Sequence, residues 1–211
     1  MSGLGLTIAV PRGALMRETL DRLDAIGLDT SEVRSNDRKL LFGDIGVVTM
    51  RPSDVPTYVE AGAADVGITG KDVLTEQSER DVYELLDLGY GRCVMVLATV
   101  DGPDPSVEAL RRLGVMRVAT KYYKTAIAYF EQTGRQAEIV EVKGSVELAP
   151  LTGLVEAIVD LTATGTTLRE NNLVIREEIY VSTARLIANP VSHKLKAAAI
   201  DDMLEKLRAA L

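Results

Sequence analysis

Short apolar runs and amphipathic stretches alternate along most of this chain. The runs LTIAV (6–10) and MRVAT (116–120) are rich in residues that favour extended backbone, which predicts strands. Helical spacing follows in ALMRETLDRLDAIG (14–27) and KTAIAYFEQTG (124–134), and each of these stretches ends at a glycine. Because strands and helices alternate, we predict an α/β fold with parallel or mixed sheets covered by helices.

The alternation runs through two cycles, joined by the turn-rich segment DGPDP (101–105), which predicts two α/β lobes. In the second cycle, LVEAIVDL (154–161) is predicted to be a helix leading into a strand, and LVIREEIYVSTARLIANP (173–190) is predicted to be extended. Residues 190–211 are predicted to form one terminal helix with an apolar face that packs on the rest of the protein. That face comprises Ile200, Met203, Leu204, Leu207 and Leu211.

Composition and charge narrow the class of protein. Hydrophobic residues make up 46% of the 211 residues and charged residues 26%, as is usual for globular proteins. We expect a cytoplasmic protein without membrane attachment, because the sequence has neither a spanning apolar run nor a signal-like N-terminus, and Cys93 is its single cysteine. A net charge of −7 disfavours nucleic acid as a partner, although a small anion can still be bound by local amides and cations.

The segment DLTATGTTLREN (160–171) combines small residues with hydroxyl groups directly before a predicted helix, and it has two interpretations. In the first, a threonine caps the helix and Gly165 makes the turn. In the second, residues 162–167, here called the threonine loop, bind a phosphate through backbone N–H groups and hydroxyls. Asp160 would then accept hydrogen bonds from ribose hydroxyls. The segment matches neither the Walker A loop nor the dinucleotide fingerprint.

A longer stretch, VELAPLTGLVEAIVDLTATGTTLRENNL (146–173), resembles the phosphoribosyl pyrophosphate loop of the ATP phosphoribosyltransferase family. Further segments resemble the same family in the same order, so that the resemblance covers nearly the whole chain. They are AVPRGAL (9–15), RPSDVPTYVEAGAADVGITGKDVL (51–74), DLGYGRCVMVLA (87–98) and RVATKYYKTAIAYF (117–130).

The resemblance implies a fold and partners. It implies two lobes like those of type II periplasmic binding proteins with a cleft between them: a first lobe of residues 1–95 with 183–211, and a second lobe of residues 96–182. The resemblance implies a short-form member of the family. Short-form members work with a regulatory subunit related to histidyl-tRNA synthetase, so we expect a homodimer within a hetero-oligomer.

The implied reaction joins ATP to phosphoribosyl pyrophosphate, giving 1-(5-phosphoribosyl)-ATP and pyrophosphate, the first step of histidine biosynthesis. Mg²⁺ would be carried by the substrates rather than by a dedicated protein site. Asp160 is the first candidate catalytic carboxylate. Glu147 is the second, because it sits just after a strand in the same lobe, and a solvated surface charge is its alternative. The resemblance implies that the threonine loop, which consists of Thr162, Ala163, Thr164, Gly165, Thr166 and Thr167, binds phosphoribosyl pyrophosphate. The candidates for ATP binding are Arg12, Arg51, Gly67, Thr69, Gly70 and Lys121. The alternative for the arginines is an exposed surface charge, and for residues 67, 69 and 70 it is close packing of a strand on a helix.

Overall fold

Strands and helices alternate along residues 4–211, the part of the chain that the computed structural model describes. The strands are β1 (Ile8–Pro11), β2 (Leu41–Phe42), β3 (Val47–Met50), β4 (Val66–Gly70), β5 (Tyr83–Asp87), β6 (Cys93–Val100), β7 (Met116–Thr120), β8 (Ala137–Glu141), β9 (Ala157–Thr162), β10 (Leu173–Ser182) and β11 (Ala184–Ala188). The helices are α1 (Met16–Ala25), α2 (Ser31–Ser35), α3 (Val55–Glu60), α4 (Lys71–Glu76), α5 (Pro105–Leu113), α6 (Tyr123–Thr133), α7 (Leu148–Leu151), α8 (Thr166–Glu170), α9 (Pro190–Leu195) and α10 (Ala197–Ala209). A 3-10 turn, Pro52–Asp54, precedes α3.

The chain divides into two compact units. The first comprises Met1–Gly91 with Thr183–Leu211, and the second comprises Arg92–Ser182; residues 1–3 of the first unit lie outside the described part. The boundary predicted at 95/96 falls within β6, and the structure places it earlier, at Gly91/Arg92, so that the strand stays whole.

The first unit contains a six-stranded mixed sheet in the order β2-β3-β1-β4-β11-β5. β1 pairs in parallel with both β3 and β4, whereas β11 is antiparallel to β4 and β5. Because β1, β3 and β4 run in the same direction, the segments that follow them emerge at one edge of the sheet.

Helices cover the sheet of the first unit. Leu20 and Leu23 of α1 and Met203 and Leu207 of α10 belong to a buried cluster with Ile68 of the sheet. A second cluster joins α3 to the sheet through Val55 and Val59. Strands that are apolar on both sides are thereby kept from water.

The terminal segment differs from the single helix predicted. It forms α9 and α10, which are separated at Lys196, where the backbone leaves the helical region (φ −119°, ψ 28°). The predicted apolar face is confirmed for Ile200, Met203, Leu204 and Leu207, which are buried. Leu211 is 52% exposed, so its placement on that face is wrong.

The second unit contains a five-stranded sheet in the order β10-β6-β9-β7-β8. β7 pairs in parallel with β8 and β9, while β6 is antiparallel to β9 and β10. The helix predicted for residues 154–161 is wrong, because the strand β9 occupies most of this segment and the helix α7 comes earlier. Central apolar runs such as this one fit a buried strand as well as a helix.

Both faces of this second sheet are packed. Along β6, Val94 and Val96 face one buried cluster while Met95 and Leu97 face another, as the alternation of a strand requires. Leu168 of α8 packs in the cluster that contains Val94.

In residues 4–211, no helix is both long enough and apolar enough to cross a membrane.

Candidate functional site

The threonine loop connects β9 to α8 in the second unit. The strand ends at Thr162 and the helix begins at Thr166. Leu168, the third residue of that short helix, is buried in the core cluster next to the sheet. The loop is therefore fixed at both ends, by the sheet on one side and by packing of α8 on the other.

A cavity of about 170 Å³ lies against the loop. The structure brings together here the two predicted carboxylates and most of the threonine loop. The lining residues are Glu147, Asp160, Leu161, Thr162, Ala163, Thr164, Thr166, Thr167 and Leu168. Residues 147, 160–164 and 166–168 thus meet around one small polar space.

Gly165 shapes the loop from behind the cavity. Its φ of +71° lies in the left-handed region, where a residue with a Cβ is strained, and its N–H donates to Oγ1 of Thr162 over 2.9 Å. This bond turns the chain sharply between the strand and the helix. Glycine is therefore required by backbone conformation, which is independent of any ligand.

Several loop amides have no acceptor within the protein. Among residues 4–211, no hydrogen bond to a protein acceptor is formed by the N–H groups of Ala163, Thr164, Thr167 and Leu168. The N–H of Thr166 has only a long contact of 3.4 Å with Oγ1 of Thr164. Ala163, Thr164 and Thr167 are exposed, and the first N–H groups of a helix lack partners within it, so these groups can donate to a bound anion or to water.

The helix that follows the loop is short, so its dipole contributes little to anion binding. α8 has five residues, and the macrodipole depends on aligned peptide units. Any attraction for a phosphate at this loop therefore comes from individual amides, hydroxyls and nearby cations.

Arg169 supplies such a cation, and sequence analysis did not single it out. Its guanidinium donates to the carbonyl oxygen of Thr164 over 2.8 Å and to Oγ1 of Thr166 over 2.9 Å. Oγ1 of Thr166 also shares a hydrogen bond of 2.9 Å with Oγ1 of Thr164. The signal was present in the sequence, since residue 169 lies one helical turn after residue 166 and so on the same face of α8.

Asp160 is the buried carboxylate of the site. Its side chain is 11% exposed, and Oδ1 accepts a hydrogen bond from the N–H of Leu161 over 2.8 Å. Burial raises the pKa of Asp160 above its ordinary value, and the neighbouring carboxylate of Glu147 adds to the rise. The positive charge of Lys121 and the Leu161 amide oppose this rise in pKa without cancelling it.

Lys121 lies beside Asp160, at a distance of 3.6 Å between Nζ and Oδ1. Lys121 was a candidate for ATP binding because it ends a predicted strand and begins a turn. Its position follows from the sheet, because β7 and β9 are parallel neighbours and Lys121 comes directly after β7. The structure therefore associates Lys121 with the carboxylate of the threonine-loop cavity.

In the first unit, Arg12 and Arg51 follow two adjacent parallel strands. Pro11 pairs with Met50 in the sheet, and the N–H of Arg12 donates to the carbonyl oxygen of Met50 over 2.7 Å. The guanidinium of Arg12 also donates to the carbonyl oxygen of Asp37. Neither arginine is neutralised by an ion pair within residues 4–211, so both present positive charge at this sheet edge.

Gly67 and Thr69 were candidates for ATP binding, and their surroundings give a different explanation. A Cβ on Gly67 would lie 2.6 Å from Cγ1 of Val55 and 2.8 Å from Cγ2 of Val59, so the absence of a side chain allows α3 to pack on β4. Thr69 is fully buried, and its hydroxyl donates to the carbonyl oxygen of Pro52 over 2.8 Å. Both residues therefore serve packing within the first unit.

Gly70 is likewise explained by its neighbours. A Cβ at this position would lie 2.1 Å from Oδ1 of Asp72. Because a carboxylate occupies the adjacent space, a phosphate at Gly70 is disfavoured by charge repulsion. Arg12 is half-buried and Arg51 is exposed, and ATP binding by the candidates of the first unit stays a prediction.

Within the described range 4–211, no group of three or more His, Cys, Asp and Glu side chains has the geometry to hold a metal ion.

Comparisons with known proteins indicate a family for the chain. The family model of ATP phosphoribosyltransferase matches residues 51–209. An ATP phosphoribosyltransferase of Rubrobacter xylanophilus is 56% identical over 203 residues, which cover 95% of this chain and 94% of that protein. One from Bacillus licheniformis is 46% identical over 209 residues, with 97% and 95% covered.

Similar structures were found as well. The ATP phosphoribosyl transferase (HisG:HisZ) complex from Thermotoga maritima contains a chain with a TM-score of 0.80 and 36% identity, covering 99% of this chain and 98% of that one. The periplasmic aliphatic sulphonate binding protein SsuA from Escherichia coli has a TM-score of 0.63 at 14% identity, covering 100% of this chain and 72% of that one. The second likeness concerns the fold alone, and it confirms the fold class predicted from the sequence.

Proposed function

Because this chain belongs to the ATP phosphoribosyltransferase family, we propose that its threonine loop binds phosphoribosyl pyrophosphate for the reaction of that family. The reaction joins N1 of the adenine of ATP to C1 of the phosphoribosyl group and releases pyrophosphate. It is the first step of histidine biosynthesis. The enzyme is accordingly a pentosyltransferase.

The observation that carries the proposal is the cavity in which free loop amides meet a buried carboxylate. In our proposal, Thr162, Ala163, Thr164, Gly165, Thr166 and Thr167 surround the 5′-phosphate. The amides of residues 163, 164 and 167 and the hydroxyls of the loop donate to the phosphate oxygens. Gly165 contributes through its left-handed backbone, since its own N–H is already used by Thr162.

Asp160 is proposed to bind the ribose hydroxyls and to support the charge that develops on the sugar. Breaking the bond between C1 and pyrophosphate builds positive charge on the ring, as in glycoside transfer. A carboxylate in a buried position stabilises that charge more strongly than one in water. Glu147, on the same cavity, is proposed as the second carboxylate.

Mg²⁺ enters this proposal as part of the substrates. Oxygen ligands on the pyrophosphate suit Mg²⁺, which keeps several waters and neutralises the leaving group. Asp160 and Glu147 have the right ligand type to contact such an ion, but they are two groups rather than a complete site.

For ATP, we propose that Arg12 and Arg51 contact phosphate oxygens. Both follow parallel strands at one edge of the first sheet, and guanidinium groups suit phosphates. We place the reaction in the cytoplasm, because ATP and phosphoribosyl pyrophosphate are intracellular metabolites.

A partner is proposed from the structural likeness. The similar Thermotoga maritima chain was determined in a HisG:HisZ complex. We propose that this chain likewise works with a regulatory subunit related to histidyl-tRNA synthetase, as a homodimer within a hetero-oligomer. Affinity purification from the native cell tests this, because the proposed subunit should co-purify with the chain in fixed proportion.

The activity is tested by mixing the full chain with ATP, phosphoribosyl pyrophosphate and Mg²⁺, with and without the co-purified partner. We expect pyrophosphate release matched by formation of phosphoribosyl-ATP. Adenine and orotate replace ATP in parallel reactions, and neither should support release. Release that never exceeds background with the partner present would contradict the proposal.

A further inference from the structure

The pairing of Lys121 with Asp160 is built into the second sheet. β7 and β9 are parallel neighbours, with Val118 opposite Ala157 and Ala119 opposite Ile158. Parallel strands end at the same edge, so Lys121, which follows β7, and Asp160, near the end of β9, are brought together by the register. Their separation is 3.6 Å between Nζ and Oδ1.

The position of the ammonium is fixed by a second contact. Nζ of Lys121 lies 5.1 Å from the centre of the Tyr122 ring, within the range of a cation–π interaction. The lysine side chain is 46% exposed while that of Asp160 is 11% exposed. Lys121 therefore reaches from solvent towards a carboxylate that has little water of its own.

Without Lys121, the surroundings of Asp160 in residues 4–211 would contain a second carboxylate and no opposing positive charge. The Leu161 amide is its one hydrogen-bond donor at short distance in the described residues, and the carboxylate of Glu147 lines the same cavity. Burial and Glu147 both favour the protonated form of Asp160, and the cation that faces it is Lys121. A protonated carboxyl loses acceptor capacity and carries no charge to oppose that of the sugar.

We propose that Lys121 is a positioning residue that acts through Asp160, keeping the carboxylate ionised and oriented for the ribose rather than binding a substrate phosphate. This inference rests on the proposed function, because it assigns a purpose to the ionised form of Asp160. It also replaces the expectation that Lys121 binds ATP.

The test compares three variants of the full chain with the parent. Lys121→Met removes the charge and keeps the length of the side chain, and Lys121→Arg restores the charge at a site that needs no bidentate geometry. Lys143→Met removes an exposed lysine of the same unit that does not line the cavity. Lys121→Gln is a second form of the first variant should Lys121→Met fold poorly.

Two measurements are made on each protein. The first is a ¹³C NMR titration of the Asp160 carboxyl group, which is assigned by its absence in Asp160→Asn and needs no activity. The second is the pH dependence of kcat/KM for phosphoribosyl pyrophosphate, which reports essential groups of the free enzyme. Titration of the substrate itself is the same for every variant and cancels in the comparison.

In Lys121→Met, we expect the Asp160 midpoint and the acidic limb of the pH profile to move upward together by about one pH unit. At pH values below the parent's midpoint, kcat/KM of the variant should be about tenfold lower than that of the parent. The plateau at high pH should stay near the parent's value. Lys121→Arg should return both quantities towards the parent values, and Lys143→Met should change neither.

An unchanged Asp160 midpoint in Lys121→Met overturns the inference while leaving the proposed function standing. A loss of kcat/KM that is equal at every pH also overturns it, because it indicates direct contact of Lys121 with a substrate. A parent that binds no phosphoribosyl pyrophosphate overturns the proposed function and this role together, even if the midpoint moves.

Discussion

At the scale of single residues, Asp160 combines burial with a charge that the reaction needs. We predict that Asp160→Asn slows turnover by at least about 10²-fold, because the amide cannot oppose positive charge on the sugar. Binding of phosphoribosyl pyrophosphate should weaken much less, since the amide oxygen still accepts a hydrogen bond. Steady-state kcat together with a binding titration measures both. A turnover rate equal to that of the parent would remove Asp160 from the mechanism.

The same substitution has an opposite effect on stability. Because the folded protein raises the pKa of Asp160, ionisation of this group destabilises the folded state. The penalty is absent below the ordinary pKa of about 3.9 and is complete once the pH exceeds the raised value. Asp160→Asn should therefore raise the melting temperature at pH 7, and the gain should vanish towards pH 3. Thermal melts across that range measure it, and a melting temperature below the parent's at pH 7 would contradict it.

Gly165 provides a second prediction at this scale. Gly165→Val places a β-branched residue at φ +71°, and its Cβ would lie 3.0 Å from a guanidinium nitrogen of Arg169. We expect binding of phosphoribosyl pyrophosphate to weaken by more than tenfold, or about 1.4 kcal/mol, because the loop amides turn away from the cavity. Isothermal titration calorimetry on the folded variant measures the loss.

The chain offers a matched control for this experiment. Gly134 ends α6 with a φ of +67°, and no atom lies within 4 Å of an added Cβ there. Gly134→Val should destabilise the protein by similar backbone strain and leave the affinity for phosphoribosyl pyrophosphate unchanged. Equal affinity in both variants and the parent would reduce the threonine loop to a helix cap.

Residue types predicted the site only in part. Asp160, Glu147 and the threonine loop were identified from local pattern and resemblance, and the structure places them around one cavity. For Lys121 and Gly67, the sequence pattern could not predict which residues they contact. The partner of Lys121 depends on the register of β7 and β9, and the reason for Gly67 depends on where α3 crosses β4.

At the scale of elements, Asp65 joins three parts of the first unit. Its side chain, 8% exposed, accepts hydrogen bonds from the N–H of Thr7, from Oγ of Ser192 and from Nζ of Lys196. These bonds connect the residue before β1 to α9 and to the junction between α9 and α10. The break at Lys196 is thus accompanied by an ion pair that a continuous helix would place elsewhere.

We predict that Asp65→Ala lowers the free energy of unfolding by about 2 kcal/mol at pH 7, because donors lose a buried acceptor. Burial raises the pKa of Asp65, but the bonds from Lys196, Thr7 and Ser192 outweigh it and lower the pKa overall. The stabilisation is therefore present above the ordinary pKa and is lost as the pH falls through the lowered one. Urea unfolding at pH 7 and in acid measures both effects.

An exposed ion pair provides the control for Asp65. Asp202 and Lys206 on α10 are 52% and 46% exposed, so Asp202→Ala should change stability by less than about 0.5 kcal/mol. An effect of Asp65→Ala no larger than this would show that the buried contacts contribute little.

Helices and strands were predicted correctly where the hydrophobic periodicity agreed with the residues that end an element, such as glycine. The strands predicted at 6–10 and 116–120 and the helix that ends at Gly134 follow their sequence patterns, since Gly134 adopts a left-handed cap. The prediction failed at LVEAIVDL, because an apolar run of this length fits a buried strand between two neighbouring strands as well as it fits a helix. It also missed Lys196, because the contacts with Asp65 are distant in sequence.

At the scale of the whole molecule, the second unit is a continuous stretch of chain and the first is not. Arg92–Ser182 contains its complete sheet and packed clusters on both faces. We predict that residues 92–182 alone fold and unfold cooperatively, as measured by circular dichroism during heating. A gradual, non-cooperative melt would contradict this prediction.

Residues 4–91 alone should not fold. They lack β11, which lies between β4 and β5, and α10, which covers the sheet. Joining residues 4–91 to 183–211 through a short glycine-rich linker should restore a cooperative transition, because Tyr90 and Ala184 are already hydrogen-bonded neighbours.

The place of β11 between β4 and β5 also has a consequence for biosynthesis. The ribosome adds this strand only after the entire second unit has been made, and domains complete during synthesis generally fold as units. The N-terminal part of the first unit therefore stays incompletely folded, without a strand between β4 and β5, while the second unit folds first. A chaperone that shields exposed strand edges would find its target there, in the interval before translation reaches residue 188.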